Sequence, residues 1–93
     1  MNVEHADDPQ GGAFFVMQGD ARVAELTYVR GPKDVVTADH TFTDPSLRGQ
    51  GVAKKLLEAF VAWVEKEGLK VVAACSYVAR AFDENPEYAT LRA

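Results

Sequence analysis

The chain is short of cysteine, of positive charge and of long apolar runs. One cysteine in 93 residues cannot close an internal disulfide, so Cys75 is left for packing or for chemistry. Basic residues are outnumbered, 10 Lys and Arg against 14 Asp and Glu, for a net charge of -4. That balance excludes a nucleic-acid partner held on a broad basic face, and any anionic ligand must be gripped by local groups. No run is long enough to span a membrane, and no repeat or low-complexity tract is present. The first residues, Met1-Asn2-Val3-Glu4-His5-Ala6-Asp7-Asp8, have neither the basic start nor the apolar stretch of a signal peptide, so a cytoplasmic location without a membrane partner is expected. No metal centre is expected either. What is present, 47% hydrophobic and 10% aromatic residues, suffices for the modest core of one small domain over residues 1–93.

The patterning has two periods. Residues 1–12 are polar and end in Gly11-Gly12, which reads as a flexible lead or a short edge strand around Val3 to His5. Ala13 to Gln18 and Ala21 to Arg30 are strand-like, joined at Gly19-Asp20 as a hairpin with glycine first in a two-residue turn. Gly31-Pro32-Lys33 reverses the chain into Asp34 to Thr43, where strict alternation puts Val36, Ala38, His40 and Phe42 on one face. After Gly51 the period becomes helical: Val52, Leu56, Phe60, Trp63 and Val64 share one side, widened by Ala53, Leu57 and Val61, and Gly68 ends the helix. Leu69 to Cys75 reads as a strand parallel to Asp34 to Thr43, because a helix joins the two. Ser76 is placed to cap a helix over Tyr77 to Asp83, and Asn85-Pro86 to open a last turn or two over Glu87 to Leu91. The class is α/β (α+β).

The chemistry-bearing stretch is Asp44-Pro45-Ser46-Leu47-Arg48-Gly49-Gln50-Gly51-Val52-Ala53, where a strand becomes a glycine loop and opens directly into the long helix. Glycines let backbone approach a ligand, and the first helical N–H groups point outward with the positive end of the dipole behind them. An anion cradle and an ordinary strand-to-helix turn both fit a bare Gly-x-Gly. The nucleotide P-loop is excluded, since no Gly-Lys-Ser/Thr ends the loop, and the dinucleotide fingerprint fails because Lys54 stands at its third glycine.

Arg48, Gly51 and Ala53 do occupy the three defining places of the pattern Q/R-x-x-G-x-G/A, and the loop resembles that signature of the GCN5-related N-acetyltransferases. Asp39-His40-Thr41-Phe42-Thr43, Cys75-Ser76-Tyr77-Val78 and Asn85-Pro86-Glu87-Tyr88 narrow the resemblance to the small single-domain members, over about residues 13–91. It implies a truncated version of that fold: an antiparallel β-meander, a helix, a parallel strand and C-terminal helices. It also implies acetyl-CoA as cofactor. Its pyrophosphate would rest on N–H groups of Arg48, Gly49, Gly51, Val52 and Ala53, in the same loop as Gln50. Lys54 and Lys55 lie where cations oppose the helix dipole and so suit phosphate, although Lys55 equally suits a solvated face. The pantetheine arm would lie along Asp39 to Thr43, touching Thr41, Phe42 and Thr43, with Val72 to Cys75 and then Tyr77 opposite. A backbone N–H near Phe42 would donate to the developing oxyanion.

Proton transfer leaves alternatives open. His40, an imidazole beside the implied acyl site, is the first candidate for general base; a packed histidine with one backbone bond is the other reading. Glu25 is a second candidate, or a solvated carboxylate on an outer sheet face. Cys75 reads either as a small buried hydrophobe or, next to a helix N-terminus, as a thiol that contacts the thioester or takes the acetyl group. The wider family often shows Asn-x-x-Ala-x-x-x-Tyr after the last core strand, its tyrosine protonating the leaving thiolate. Here Ser76 replaces the asparagine, Ala79 is kept and Asp83 stands at the tyrosine, which leaves Tyr77 or Tyr88 as substitutes. The long N-terminal helices and final strands that wall the acceptor pocket in larger members are missing, so an acceptor site open to solvent or completed by a partner is expected. The expected activity is transfer of an acetyl group to an amine, small molecule or protein lysine; the alternatives are a non-catalytic acetyl-CoA or CoA binder and a structural domain with no ligand.

Overall fold

Strands that share one apolar face organise the molecule. The computed structural model describes residues 2–93. Strands β1 (Glu4–Asp8), β2 (Gly11–Gln18), β3 (Ala21–Arg30), β4 (Val35–Thr43) and β5 (Lys70–Ala73) form one five-stranded sheet in chain order, antiparallel up to β4 and parallel between β4 and β5. Helix α1 (Val52–Glu67) makes the crossover, and α2 (Ser76–Glu84) and a 3-10 segment (Pro86–Leu91) follow β5. Phe14, Val16, Leu26, Tyr28, Val36, Ala38 and Val71 of the sheet meet Leu56, Phe60 and Val64 of α1 and Val78 and Phe82 of α2 in one core. Gly68 closes α1 in the left-handed conformation (φ 68°), and Leu69 N–H donates back to Val64 O at 3.0 Å. Among the described residues no helix is long and apolar enough to cross a membrane.

The lead segment is a strand rather than a flexible arm. Gly11-Gly12 reads locally as a turn, but tertiary contacts make it the start of β2, which pairs along all of β1. His5 stacks on Phe14 with ring centroids 3.9 Å apart, and its Nε2 lies 2.7 Å from the Tyr28 hydroxyl. That hydroxyl donates to Asp7 Oδ1 at 2.6 Å, and Arg30 donates to both Asp7 oxygens at 3.1 and 2.8 Å. Burial, with Asp7 beside it, keeps the Tyr28 hydroxyl protonated far above the usual phenol range. Glycine is required at position 12 for space: a Cβ there would sit 2.1 Å from Ala6 O and 2.7 Å from the Tyr28 hydroxyl.

Two register breaks correct the simple alternation. Between Val16 and Met17 the pairing shifts, leaving Val23 as an extra residue on β3, so Val23 and Ala24 are both buried. On β4, Thr27 faces His40 while Tyr28 faces Ala38, so Asp39 is the extra residue. Val36 and Ala38 before the bulge point into the core; after it the half-buried Thr41 and Thr43 take that face, opposite the buried Leu26 and Ala24. His40 and Phe42 therefore lie on the outer face, opposite Thr27 and Glu25, and do not share the face of Val36 and Ala38. Further on, β5 is shorter than the apolar run suggests, and Cys75 rather than Ser76 holds the N-cap position of α2. Asn85 holds the N-cap position of the 3-10 segment, with Pro86 first in it and Tyr88 N–H donating to Asn85 O at 2.9 Å, but its side-chain amide turns back to Ala81 O at 2.7 Å and so closes α2.

The close packing at Gly12 sets a test. Gly12→Ala is expected to destabilise the fold by about 1–3 kcal/mol through overpacking. Gly31→Ala, where a Cβ meets only Val35 O at 3.4 Å, should stay within about 0.5 kcal/mol of the parent. Urea denaturation of both variants measures the difference.

Candidate functional site

The site begins where β4 ends. Asp44 N–H is held by Val23 O at 2.8 Å, and Asp44 Oδ1 accepts from Ser46 N–H at 2.9 Å and the Ser46 hydroxyl at 2.8 Å. Those Ser46 donors hold the Asp44 carboxyl below its usual range. The turn Pro45–Leu47 follows, pinned by the buried Leu47. Gly49 (φ 84°) and Gly51 (φ 73°) then take left-handed conformations that carry the chain into α1. Lys55 N–H is the first to find a carbonyl one turn back, Gly51 O at 3.1 Å. The N–H groups of Val52, Ala53 and Lys54 have no such partner by helix geometry, and the first turn carries no acidic residue.

The second part of the site is a split in the sheet. Strands β4 and β5 pair only from Val35↔Lys70 to Ala38↔Ala73. There Ala74 and Cys75 N–H groups both donate to Ala38 O, at 3.0 and 2.9 Å, and the chain turns out of the sheet into α2. β4 runs on to Thr43 paired with β3 alone, its other edge free. Between its free end, the glycine loop and α2 lies a cleft of about 430 Å³. Thr41, Phe42 and Thr43 form one wall and Tyr77 another; Arg48, Gly49, Gly51, Val52, Ala53 and Lys54 form the floor at the helix terminus. An added Cβ at Gly49 or Gly51 would meet no atom within 4 Å, so the space over both is open.

Two of the expected contact residues lie apart from this lining. Gln50 turns its amide toward Ser46 O at 3.5 Å, and its N–H donates to Leu47 O. Arg48 N–H is likewise engaged, with Pro45 O at 3.3 Å, so the backbone donors facing the cleft come from the helix start rather than from Arg48. Cys75 sits just behind the wall, its sulfur 3.3 Å from Thr41 Oγ1. Burial pushes the Cys75 thiol up, but the Thr41 hydroxyl and the nearby N–H groups of Val78, Tyr77 and Thr41 outweigh it, and the net shift is below the ordinary thiol value. Those helix N–H groups close no full cap bond to the side chain; they act through proximity. Burial, with Glu58 and Tyr88 nearby, pushes the Tyr77 hydroxyl above its usual range, so it stays a proton donor at neutral pH.

Leu47 lines the cleft and was not among the residues expected there. Its signal was available: one apolar residue inside an otherwise polar loop marks an anchor. A second cleft of about 410 Å³ adjoins the first, sharing Lys54 and Tyr77 and adding Arg80 and Tyr88. His40 lies outside both, on the outer face with its side chain 55% exposed and Nε2 3.3 Å from Glu25 Oε2. Asp83 pairs with Arg92 at 2.6 Å at the exposed surface of α2.

A split parallel pair closed by a glycine-led helix terminus frames the cleft of this α/β protein. Residues 13–91 match the family model of the GCN5-related N-acetyl-transferases, and the chain belongs to that family. It is 36% identical over 87 residues to Protein NATD1 of Mus musculus, covering 92% of this chain and 77% of that one. With Protein NATD1 of Homo sapiens it shares 36% identity over 63 residues, which is 68% of this chain and only 56% of the relative's length. Among solved structures, a GCN5-like protein of Staphylococcus aureus studied by NMR superposes with a TM-score of 0.71 at 29% identity, covering 99% of this chain and 89% of that one. An IAA acetyltransferase of Bacillus cereus shares the fold at TM-score 0.64 and 15% identity, covering 89% and 73%.

The thiol geometry sets a second test. The iodoacetamide reaction rate of Cys75 should reach half its maximum below the ordinary thiol pKa. Thr41→Val, which removes a stabilising donor, should move that midpoint to higher pH. Alkylation rates from pH 6 to 10, read by intact mass, check both; an unmoved midpoint would show that the hydroxyl does not act on the sulfur.

Proposed function

We propose that this chain binds acetyl-CoA along the split between β4 and β5 and transfers the acetyl group to an amine. The observation that carries the reading is the meeting, in one cleft, of an unpaired strand edge and a helix terminus opened by Gly49 and Gly51. The free N–H groups of Val52, Ala53 and Lys54, with the Arg48 and Lys54 side chains, suit the pyrophosphate. The residues after Ala38 offer the backbone edge that a pantetheine amide pairs with, as an added strand would. Bound there, the cofactor supplies an acyl thioester. His40 takes the proton of the attacking amine, and the Tyr77 hydroxyl returns one to the departing thiolate. A backbone N–H near Phe42 holds the carbonyl oxygen as charge develops. Cys75 stands close enough behind Thr41 to offer a second route, in which its sulfur takes the acetyl group first and yields it to the amine. The net charge of -4 favours a cationic acceptor, and the free thiol suits the cytoplasm.

One observation favours a non-catalytic binder instead. Asp83 stands where the resemblance places the family tyrosine and pairs with Arg92, which leaves proton donation to Tyr77 or Tyr88. Calorimetry and a CoA-release assay with polyamines and lysine peptides separate the readings. One-to-one acetyl-CoA binding with Kd below about 1 mM is expected, weakened at least about tenfold in Gly51→Val, where both φ and the added bulk oppose the ligand. CoA release that falls in His40→Ala supports transfer; binding without release with any amine supports the binder; no binding at millimolar cofactor defeats both. An acetyl adduct on Cys75 by intact mass would identify the two-step route.

A further inference from the structure

The outer face of the sheet carries a row of charge that the cleft does not use. Arg22 on β3 lies with its guanidinium 4.0 Å from the Phe15 ring centroid, and its Nη1 is 3.2 Å from Glu25 Oε1. The other carboxylate oxygen, Oε2, stands 3.3 Å from His40 Nε2 on β4. The Glu25 side chain is 23% exposed and that of His40 55%, so the carboxylate is the held member of the pair and the imidazole the presented one. The β4 bulge creates this contact by placing His40 opposite Thr27, two residues beyond Glu25 on the same face. Asp39, the other acidic group turned to that side, is engaged by the Thr27 hydroxyl at 2.6 Å. The charged groups around His40 are thus Glu25 and Arg22 from β3 and Asp39 from β4.

We infer that Glu25 is a positioning residue: its carboxylate orients the His40 ring and stabilises the imidazolium formed when His40 takes a proton from the acceptor amine. The inference rests on the transferase reading given above. In the step concerned, the amine nitrogen bonds to the acetyl carbon as the carbon–sulfur bond of the thioester breaks; the amine proton passes to His40 Nδ1, the departing CoA thiolate takes its proton from the Tyr77 hydroxyl, and Glu25 stays ionised while accepting from His40 Nε2–H. At 3.3 Å the pair is in contact without a closed hydrogen bond, and charge on the ring draws it shorter. Arg22 fixes the first oxygen of the carboxylate, so only the second is free to follow the ring.

Two measurements test this. In the free protein at about pH 5.5, NMR should show the His40 Nε2 proton protected from solvent exchange, and the protection should vanish in Glu25→Ala. In the transfer assay, Glu25→Gln, which keeps size and loses charge, should lower kcat about tenfold or more while the acetyl-CoA Kd stays within about twofold. Equal ring-proton exchange in the parent and Glu25→Ala, or an unchanged kcat in Glu25→Gln, would overturn the inference. If the parent transfers no acetyl group, the transferase reading fails on its own, and the ring-proton measurement still decides whether Glu25 holds His40.

Discussion

The one extra residue in β4, Asp39, decides which way the working half of the molecule faces. Before it, Val36 and Ala38 pack into the core; after it, Thr41 and Thr43 take the inward positions and His40 and Phe42 turn outward. The hydrogen bond from Thr27 to Asp39 at 2.6 Å spans the irregularity and holds it. The parallel pairing of β4 with β5 ends at Ala38 and Ala73, beside the bulge, and the carbonyl of Ala38 takes both Ala74 and Cys75 donors as the chain departs. A bulge strengthens the local twist and ends regular pairing. One backbone device thus parts the strands, presents Thr41 to Cys75 and sets His40 beside Glu25.

The opposite wall depends on backbone charge rather than side-chain charge. The chain carries a net -4, yet the helix that faces the cleft has no acidic residue in its first turn, and Lys54 stands there instead. Gly51 in the left-handed region provides an N-cap without a side chain, so nothing of the protein's own satisfies the first N–H groups from above. A serine or aspartate cap would stabilise α1 by about 0.5–2 kcal/mol relative to alanine. Forgoing it leaves those donors without a side-chain cap, and the stability of α1 comes from its buried Leu56, Phe60 and Val64.

Much of this was legible in the sequence wherever one residue type dictates one conformation. Gly51 and Gly68 frame α1, Gly19 makes the β2–β3 turn, and the change from period two to a helical period marks the crossover. The loop pattern of Arg48, Gly51 and Ala53 gave the family. The bulge was not legible, because Asp39 differs in no local way from a strand residue and its partner Thr27 lies on another strand. Strict alternation therefore put His40 with Val36 and hid its contact with Glu25. The edge strand was open as one of two readings around Val3 to His5, and its extent through Asp8 was not legible: His5 on Phe14 and Asp7 between Tyr28 and Arg30 fix it through contacts far apart in sequence. Contacts of that kind, not propensities, set the outer face.

The central claim is that the bulge and the glycine loop frame one ligand site, and amide NMR shifts during an acetyl-CoA titration test it most directly. The account predicts the largest shifts in two separate stretches, Asp39 to Thr43 and Gly49 to Lys54, moving together with one saturation curve. Shifts confined to the outer face or to the second cleft around Arg80 and Tyr88, with the glycine-loop amides unmoved, would contradict it.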